Sequence, residues 1–531
     1  MTSRHLEAGS RSGGRAPAEI RGVFTSKGPG TAGGPRWIAV MVLGAMLCLV
    51  VGGAMSVHPV LTMEFLVGIG ALFLLVLRPK VFLALAVLGV LFALATRNAT
   101  GIAILDYSDE ATVALCLVAF TSMRIIAGKR IRWVPGMGWM GLFLVAGFAS
   151  SIAQGVTIGS ATQSSFLFVK GTLLAFAVAQ LDWHASDVRK MAKLGAATVG
   201  FVLAVAAVNL AIPSTWAALT APYLVGAAFR AGALPSLNGP FGHPNSLGHV
   251  MALATIAIVV YRNTIGRGPW SLILLVGSFL AVVMSFRRKA IAGVLAGAAT
   301  VWLLIPRRRG TLLLVLTAVP LVVLLSWDTL AAIAAFTYQD YVVNAHLAPR
   351  IIMYQDSAGI AVRDFPLGAG FGRYGSHLAE ADYSPEYVER GYLAIWGMGI
   401  DNEGGFLTDT FWPAILGETG VLGLLGFVIG IGRMVLQGRF LTAGTNEPAH
   451  RFLGILLLAW GVEYLLESFA APSFSAPPGF VLIFTLIGVV AAVRADQPDA
   501  VKGRSDSAES TDSPPAAGTS GAGAVSAWDG W

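Results

Sequence analysis

Charge is scarce in this sequence: Asp, Glu, Lys and Arg make up 12% of its 531 residues, against 55% hydrophobic residues, and its mean hydropathy is +0.71. Soluble globular domains carry about 25% charged residues, so a soluble fold is excluded. Cysteine is nearly absent as well. Cys48 and Cys116 both lie inside apolar runs and cannot form a metal cluster of familiar spacing, which leaves them as packing residues. The one glycine-rich loop, Pro366-Leu-Gly-Ala-Gly-Phe-Gly372, lacks the Lys-Ser/Thr that would follow in a nucleotide-binding loop. No clear internal repeat is present, which disfavours transporter folds built from inverted repeats. The net charge of +7 is dispersed between apolar runs and not gathered into a patch, so no nucleic-acid partner is expected.

What is there is apolar runs in succession. Residues 1–36, rich in Gly, Ser and Arg, read as a disordered basic tail. The first run is Trp37 to Met55, with no small-x-small cleavage site after it to mark a signal peptide. Further runs begin near Val60, Val81, Ala111, Met137, Ser164, Ala192, Asn245, Pro269, Ala290 and Thr311, and three more near Phe411, Phe452 and Pro478. Each is long enough to cross a hydrocarbon core of about 30 Å. The expected fold is an all-α polytopic membrane protein of about fourteen helices, eleven in residues 37–327 and three in 411–494. Residues 328–410 form one long loop between the eleventh and twelfth helices, and 495–531 a second disordered tail.

Clusters of basic residues fall on alternate loops along the chain, with one exception. Arg78 and Lys80, Arg124 to Arg132, Arg189 to Lys193, Arg262 and Arg267, Arg307 to Arg309, Arg433 to Arg451, and Arg494 onward all occupy one side. By the positive-inside rule that side is cytoplasmic, with both tails, and the long loop is extracytoplasmic. One outer turn breaks the pattern. Arg287, Arg288 and Lys289 sit between two apolar runs where an outward-facing turn is expected. Shifting the register would only put Arg307 to Arg309 outside, so the turn reads as an anion site at the outer boundary, where planar arginine forks suit phosphate.

Ionisable residues inside the runs need partners. Glu463 and Glu467 share one helical face, and with Glu418 they are expected to face the bundle and pair with cations such as Arg288. Lys170, near an outer helix end, is expected to snorkel, with a polar cavity as the other reading. Glu64, in the second run, is a lone acid and weak evidence for a proton site.

Two loop regions carry chemistry. Asn238-Gly-Pro-Phe-Gly-His-Pro-Asn245 ends in a helix start, so His243 and Asn245 either cap the helix or hydrogen-bond a sugar or phosphate. In the long loop the glycines of 366–372 let the backbone fold tightly against the bundle. Arg350 and Arg373 flank them, either holding a second anionic group or standing solvated. His346, His377, Asp401 and Asp409 show no compact ligand spacing, so no structural metal is expected and only a loosely held Mg²⁺ or Ca²⁺ is left open.

Together these features resemble the O-antigen ligase and O-antigen polymerase family, bacterial membrane glycosyltransferases that use undecaprenyl-diphosphate-linked glycans. Gly-Pro-Phe-Gly-His243-Pro-Asn245 is similar to the family's Gly-x-x-x-His-Pro-Asn, and Ser285-Phe-Arg-Arg288-Lys-Ala290 to its Ser-x-Ser-Arg-x-Ala turn. Arg350 precedes the Pro366 to Gly372 segment, and Asp409-Thr410 precedes Gly420-Val-Leu-Gly423 by nine residues. The likeness spans residues 213–423. It departs from the family at Asp409, where a histidine is usual, and at Ser236, where many members have arginine; Arg230 is the nearest one here.

The resemblance implies a metal- and cofactor-independent, inverting glycosyl transfer at the outer face of the cytoplasmic membrane. Arg288 would stabilise the leaving diphosphate, supported by Arg287, Arg350 and Arg230, and Asp409 would orient or deprotonate the acceptor hydroxyl. His243, Asn245 and Arg373 are further substrate-binding candidates. The expected partners are a polyprenyl-diphosphate-linked donor, a glycan, lipid or protein acceptor, the bilayer and envelope-assembly proteins. A transporter or flippase of an anionic lipid-linked substrate would use the same arginines without chemistry, and a structural role in envelope assembly is a third reading.

Overall fold

The computed structural model describes residues 59–222, 235–305, 348–400, 405–443 and 447–496, with isolated positions between 331 and 343 and the backbone alone over 59–67. Among the described residues every extended element is helical and no strand forms. In chain order, α1 (Pro59–Leu77), α2 (Pro79–Thr100), α3 (Ser108–Ile126), α4 (Met137–Ala153), α5 (Ile158–Ala179), α6 (Ala185–Ala211) and the short α7 (Pro213–Thr220) come first. Then come α8 (Pro244–Thr264), α9 (Pro269–Met284) and α10 (Arg288–Leu304). The short α11 (Pro349–Arg363), α12 (His377–Ala381) and α13 (Pro385–Glu389) precede α14 (Trp412–Leu436), α15 (Gly438–Ala443), α16 (Pro448–Ser468) and α17 (Gly479–Ala495). Two compact units divide the chain, Met1–Phe73 and Leu74–Trp531, and the arginine turn, the long loop and the helices around them belong to the second.

Proline opens many of these helices because its fixed φ suits the first turn and its missing N–H would have no helical partner there. Twelve of the apolar runs read from the sequence are helices; the runs starting at Trp37 and Thr311 lie outside the described residues. Among the described residues six helices are long and apolar enough to cross a membrane: α2, α5, α6, α8, α14 with its continuation to Thr442, and α16. This is a multi-pass helical membrane architecture. The apolar helices α4, α9 and α17 are shorter, at 16 or 17 residues, a rise of about 25 Å.

The bundle packs as close helix pairs: α4 along α14, α5 along α17, α8 along α9, and α10 along α16. Small residues let backbones approach. A Cβ on Gly426 of α14 would meet the Phe143 nitrogen of α4 at 2.8 Å, the kind of contact that replaces a hydrophobic driving force in lipid. Charged groups at one end tie several turns together. Asp182, between α5 and α6, takes Lys129 at 2.5 Å, Arg132 at 2.9 Å and Arg124 at 3.3 Å, and Arg132 also pairs with Asp496 after α17. Lys80 reaches Asp187 at 2.5 Å. The basic members of these pairs are ones that the sequence groups on one side of the membrane.

The described part of the long loop is a folded lobe. α11, α12 and α13 enclose Met353, Ile360, Tyr374, Tyr387, Tyr392 and Leu407. Inside it, the Tyr374 and Tyr392 hydroxyls lie 2.7 Å apart and Tyr392 donates to Asp356 at 2.6 Å, so the buried phenols are satisfied.

The glycine segment docks this lobe on the bundle. Ala369 and Gly370 N–H groups donate to Gly417 and Glu418 carbonyls of α14 at 2.8 and 2.9 Å, and Gly368 and Phe371 N–H groups to Ser150 and Ser151 hydroxyls of α4 at 3.0 and 2.9 Å. α14 breaks at Gly420, whose φ of 67° and ψ of −166° only glycine adopts readily, and the Leu367 carbonyl lies 2.1 Å from where its Cβ would be. Phe371 then enters an aromatic cluster with Phe143, Phe148 and Phe168. The tight packing expected of these glycines is what the structure shows.

Candidate functional site

The arginine turn is built by the short link between α9 and α10. Ser285 is fully buried, and Phe286 holds a left-handed φ of 52°, an uncommon conformation for a residue with a Cβ. Arg287 precedes the first helical residue and Arg288 is that residue. The positive end of a helix dipole repels cations, so the dipole of α10 gives no stabilisation to three basic residues at this terminus. Arg288 is exposed and makes no ion pair or hydrogen bond among the described residues; Arg287 is half-buried.

The segment before α8 packs against this turn. The Leu237 N–H donates to the Met284 carbonyl at 3.0 Å and Ser236 Oγ to the Ser285 carbonyl at 3.1 Å. A Cβ on Gly248 would lie 2.7 Å from Ser285 Oγ, so the start of α8 touches the turn too. Asn238 holds the loop in shape, donating to Thr220 Oγ1 at 2.8 Å and to the Phe241 carbonyl at 2.6 Å. The first two sequence motifs are therefore neighbours in space. His243 takes the capping role, its Nδ1 accepting the Asn245 N–H at 2.9 Å, and Asn245 is half-buried in the first turn. Arg230 lies outside the described residues, as does the side chain of Glu64.

The lobe brings a second pair together. Arg350, in the first turn of α11, forms an ion pair with Asp409, just before α14. One turn along α11, Tyr354 donates to the Phe469 carbonyl at 3.1 Å; burial pushes its phenol up to about 12, with Arg350 pulling the other way. Arg373 is half-buried beside the glycine segment and forms no ion pair among the described residues. His377 is raised above the usual imidazole range by its hydrogen bond to Glu380, against the opposing effect of burial.

The corner at the end of α16 ties both places together. Lys289, next to Arg288, donates to the Ala470 carbonyl at 3.1 Å and lies 3.4 Å from Glu467. Trp412 Nε1 donates to Ser468 Oγ at 2.9 Å, and Tyr354 holds Phe469. Residues 467–470 thus carry contacts from the arginine turn, from α11 and from the start of α14.

Three expected pairings are corrected. Lys170 does not snorkel: it is buried, donating to Asp109 at 2.5 Å and Glu110 at 2.8 Å, because two acids in the first turn of α3 face it. Glu463 and Glu467 do find basic partners, but these are the His249 imidazole and the Lys289 ammonium, not Arg288. Glu418 meets no cation among the described residues; its oxygens accept from the Tyr374 N–H at 3.1 Å and Ser164 Oγ at 3.2 Å. His249 is a site residue that the sequence motifs do not single out. A histidine alone in an apolar run, one turn after Asn245, is the signal that could have found it.

No family model matches this chain, and no curated protein does. Its chemistry has to be argued from these residues.

Proposed function

We propose that the chain is a membrane glycosyltransferase that polymerises or ligates polyprenyl-diphosphate-linked oligosaccharides at the outer face of the cytoplasmic membrane, with polymerisation favoured. The topology that goes with this reading has about fourteen spanning helices, cytoplasmic tails and residues 328–410 outside. The observation that carries it is Arg288, an exposed arginine with no ion pair or side-chain hydrogen bond among the described residues, at a helix terminus whose dipole disfavours a cation. A diphosphate is a ligand of matching charge and hydrogen-bonding geometry for such an arginine.

In the proposed reaction the bond between the sugar anomeric carbon and the diphosphate oxygen breaks while an acceptor hydroxyl attacks from the opposite face. The electron pair leaves with the polyprenyl diphosphate. Arg288, with Arg287 and Arg230, binds the charge that develops there more strongly than the ground state. The hydroxyl proton passes to Asp409, whose other contact, Arg350, keeps it oriented.

The test is the chain length of polyprenyl-linked glycan in cells whose only copy is Arg288→Ala. Accumulation of single repeats with loss of long glycan is expected; an unchanged lipid-linked pool and unchanged surface glycan would sink the proposal.

A transporter or flippase for an anionic lipid-linked substrate is the second reading, favoured by the break in α14 at Gly420, since discontinuous helices often mark transport sites. Against it, backbone carbonyls at that break already accept from the glycine segment of the lobe. Proteoliposomes that move a lipid-linked sugar across the bilayer without forming a new glycosidic bond would decide for transport.

A further inference from the structure

Below the arginine turn, inside the bundle, four ionisable side chains from three helices meet. His249 of α8 directs Nδ1 at two carboxylates of α16, contacting Glu467 and lying 3.1 Å from Glu463 Oε1. Lys289 of α10 approaches Glu467 Oε1 to 3.4 Å. All but Lys289 are sealed off: His249 is 4% exposed, Glu463 0% and Glu467 2%. The packing leaves little slack. A Cβ on Gly293 of α10 would lie 2.9 Å from the Glu463 side chain, and one on Gly479 would lie 3.1 Å from His249 Nε2. Tyr464 stands edge-on to the imidazole at 4.8 Å, its hydroxyl engaged by the Gly479 carbonyl at 2.6 Å.

Charge has to balance here, because an uncompensated ion costs far more in a buried site than at a surface. Two carboxylates face one ammonium. The packed helices supply little else: α9 carries no ionisable residue, α10 only Arg288 and Lys289, α15 only Arg439, and α17 only Arg494, near its far end, while α14 carries Glu418, which accepts from Ser164 and the Tyr374 N–H, and Arg433 in its last turn. On α16, His450 and Arg451 lie at the opposite end from Glu467, and α6 keeps its charges in its first turns, where Asp187 pairs with Lys80.

We infer that His249 is held as an imidazolium, closing a neutral quartet with Lys289, Glu463 and Glu467, and that the quartet positions the Arg287–Arg288 turn. The mechanical link is direct. Lys289 is the residue after Arg288, and anchoring its ammonium to Glu467 and to the Ala470 carbonyl fixes the first turn of α10 and the direction Arg288 takes. His249 acts through Glu467, so it is a positioning residue.

A divalent metal is the rival occupant, since donor atoms of His249, Glu463 and Glu467 all lie within 4.8 Å of one another. The Lys289 ammonium beside Glu467 opposes it, because a doubly charged ion would leave the cluster with a net positive charge where a proton leaves it neutral.

The experiment uses purified full-length protein in nanodiscs, with inorganic pyrophosphate as the probe of the arginine turn, and compares wild type, His249→Gln and His249→Gln/Glu463→Gln. The single variant has one excess buried negative charge; the double variant restores the balance. We expect His249→Gln to lower the thermal midpoint and weaken pyrophosphate binding by about tenfold, and the added Glu463→Gln to recover most of both. If the single variant does not fold, a double variant that folds again supports the quartet equally well, and failure of both overturns it. A single variant equal to wild type, or a folded double variant no better than the single, also overturns it. So does one equivalent of bound zinc or manganese that His249→Gln removes. The binding readout rests on the reading of the turn as an anion site. Should pyrophosphate bind no form at all, that reading fails, while the midpoints of the three proteins still decide the charge balance.

Discussion

Arg350 and Asp409, 59 residues apart in the chain, form an ion pair that joins the first turn of α11 to the entry of α14. The cation that Asp409 meets comes from the lobe, not from the arginine turn. A carboxylate held this way is fixed in direction, which is the property the proposed role of Asp409 calls for.

Both side chains of that pair are under a third exposed, so its coupling should exceed that of a solvated surface pair. A double-mutant cycle with Arg350→Ala and Asp409→Ala, followed by thermal unfolding, should give about 1 kcal/mol. Strict additivity of the two single changes would mean that the pair is incidental.

Lys170 tests the corrected interior of α5. Replacing it with Met leaves Asp109 and Glu110 without their cation, a loss expected to cost about 3–5 kcal/mol. Adding Asp109→Asn should return part of that stability; a single variant as stable as wild type would refute the buried pairing.

Gly420→Ala places a Cβ against the Leu367 carbonyl in a backbone region closed to other residues. The expected destabilisation is more than about 2 kcal/mol, and it should fall on lobe docking. Limited proteolysis within 366–375 reads it directly: unchanged protection would show that the break does not need glycine.

Asp182 makes a pH signature. Burial raises its carboxyl, but hydrogen bonds and charge from Lys129 and Arg132 outweigh this and bring it from 3.8 to about 2. A folded-state value below the unfolded one contributes stability above about pH 4 that is lost as pH falls toward 2. The difference in thermal midpoint between wild type and Asp182→Asn should therefore shrink across that window. A difference that stays constant from pH 5 to about pH 2 would contradict it.

The sequence alone determined where twelve apolar helices lie, because a run of apolar residues and, at many of them, a proline at its start are local facts that lipid and backbone hydrogen bonding make decisive, whereas the short helices of the lobe lie in no such run. It also marked the arginine turn as anomalous and the glycines as a docking segment. Which ions meet was decided only by tertiary structure. His249 finds Glu463 across 214 residues, Lys170 finds Asp109 across 61, and Arg350 finds Asp409 across 59. Nothing local encodes such meetings. In a buried site each charge must be compensated by whatever the packed helices bring to it, and helix rotation and depth, set by glycine contacts and aromatic packing far from the charges, choose the partner.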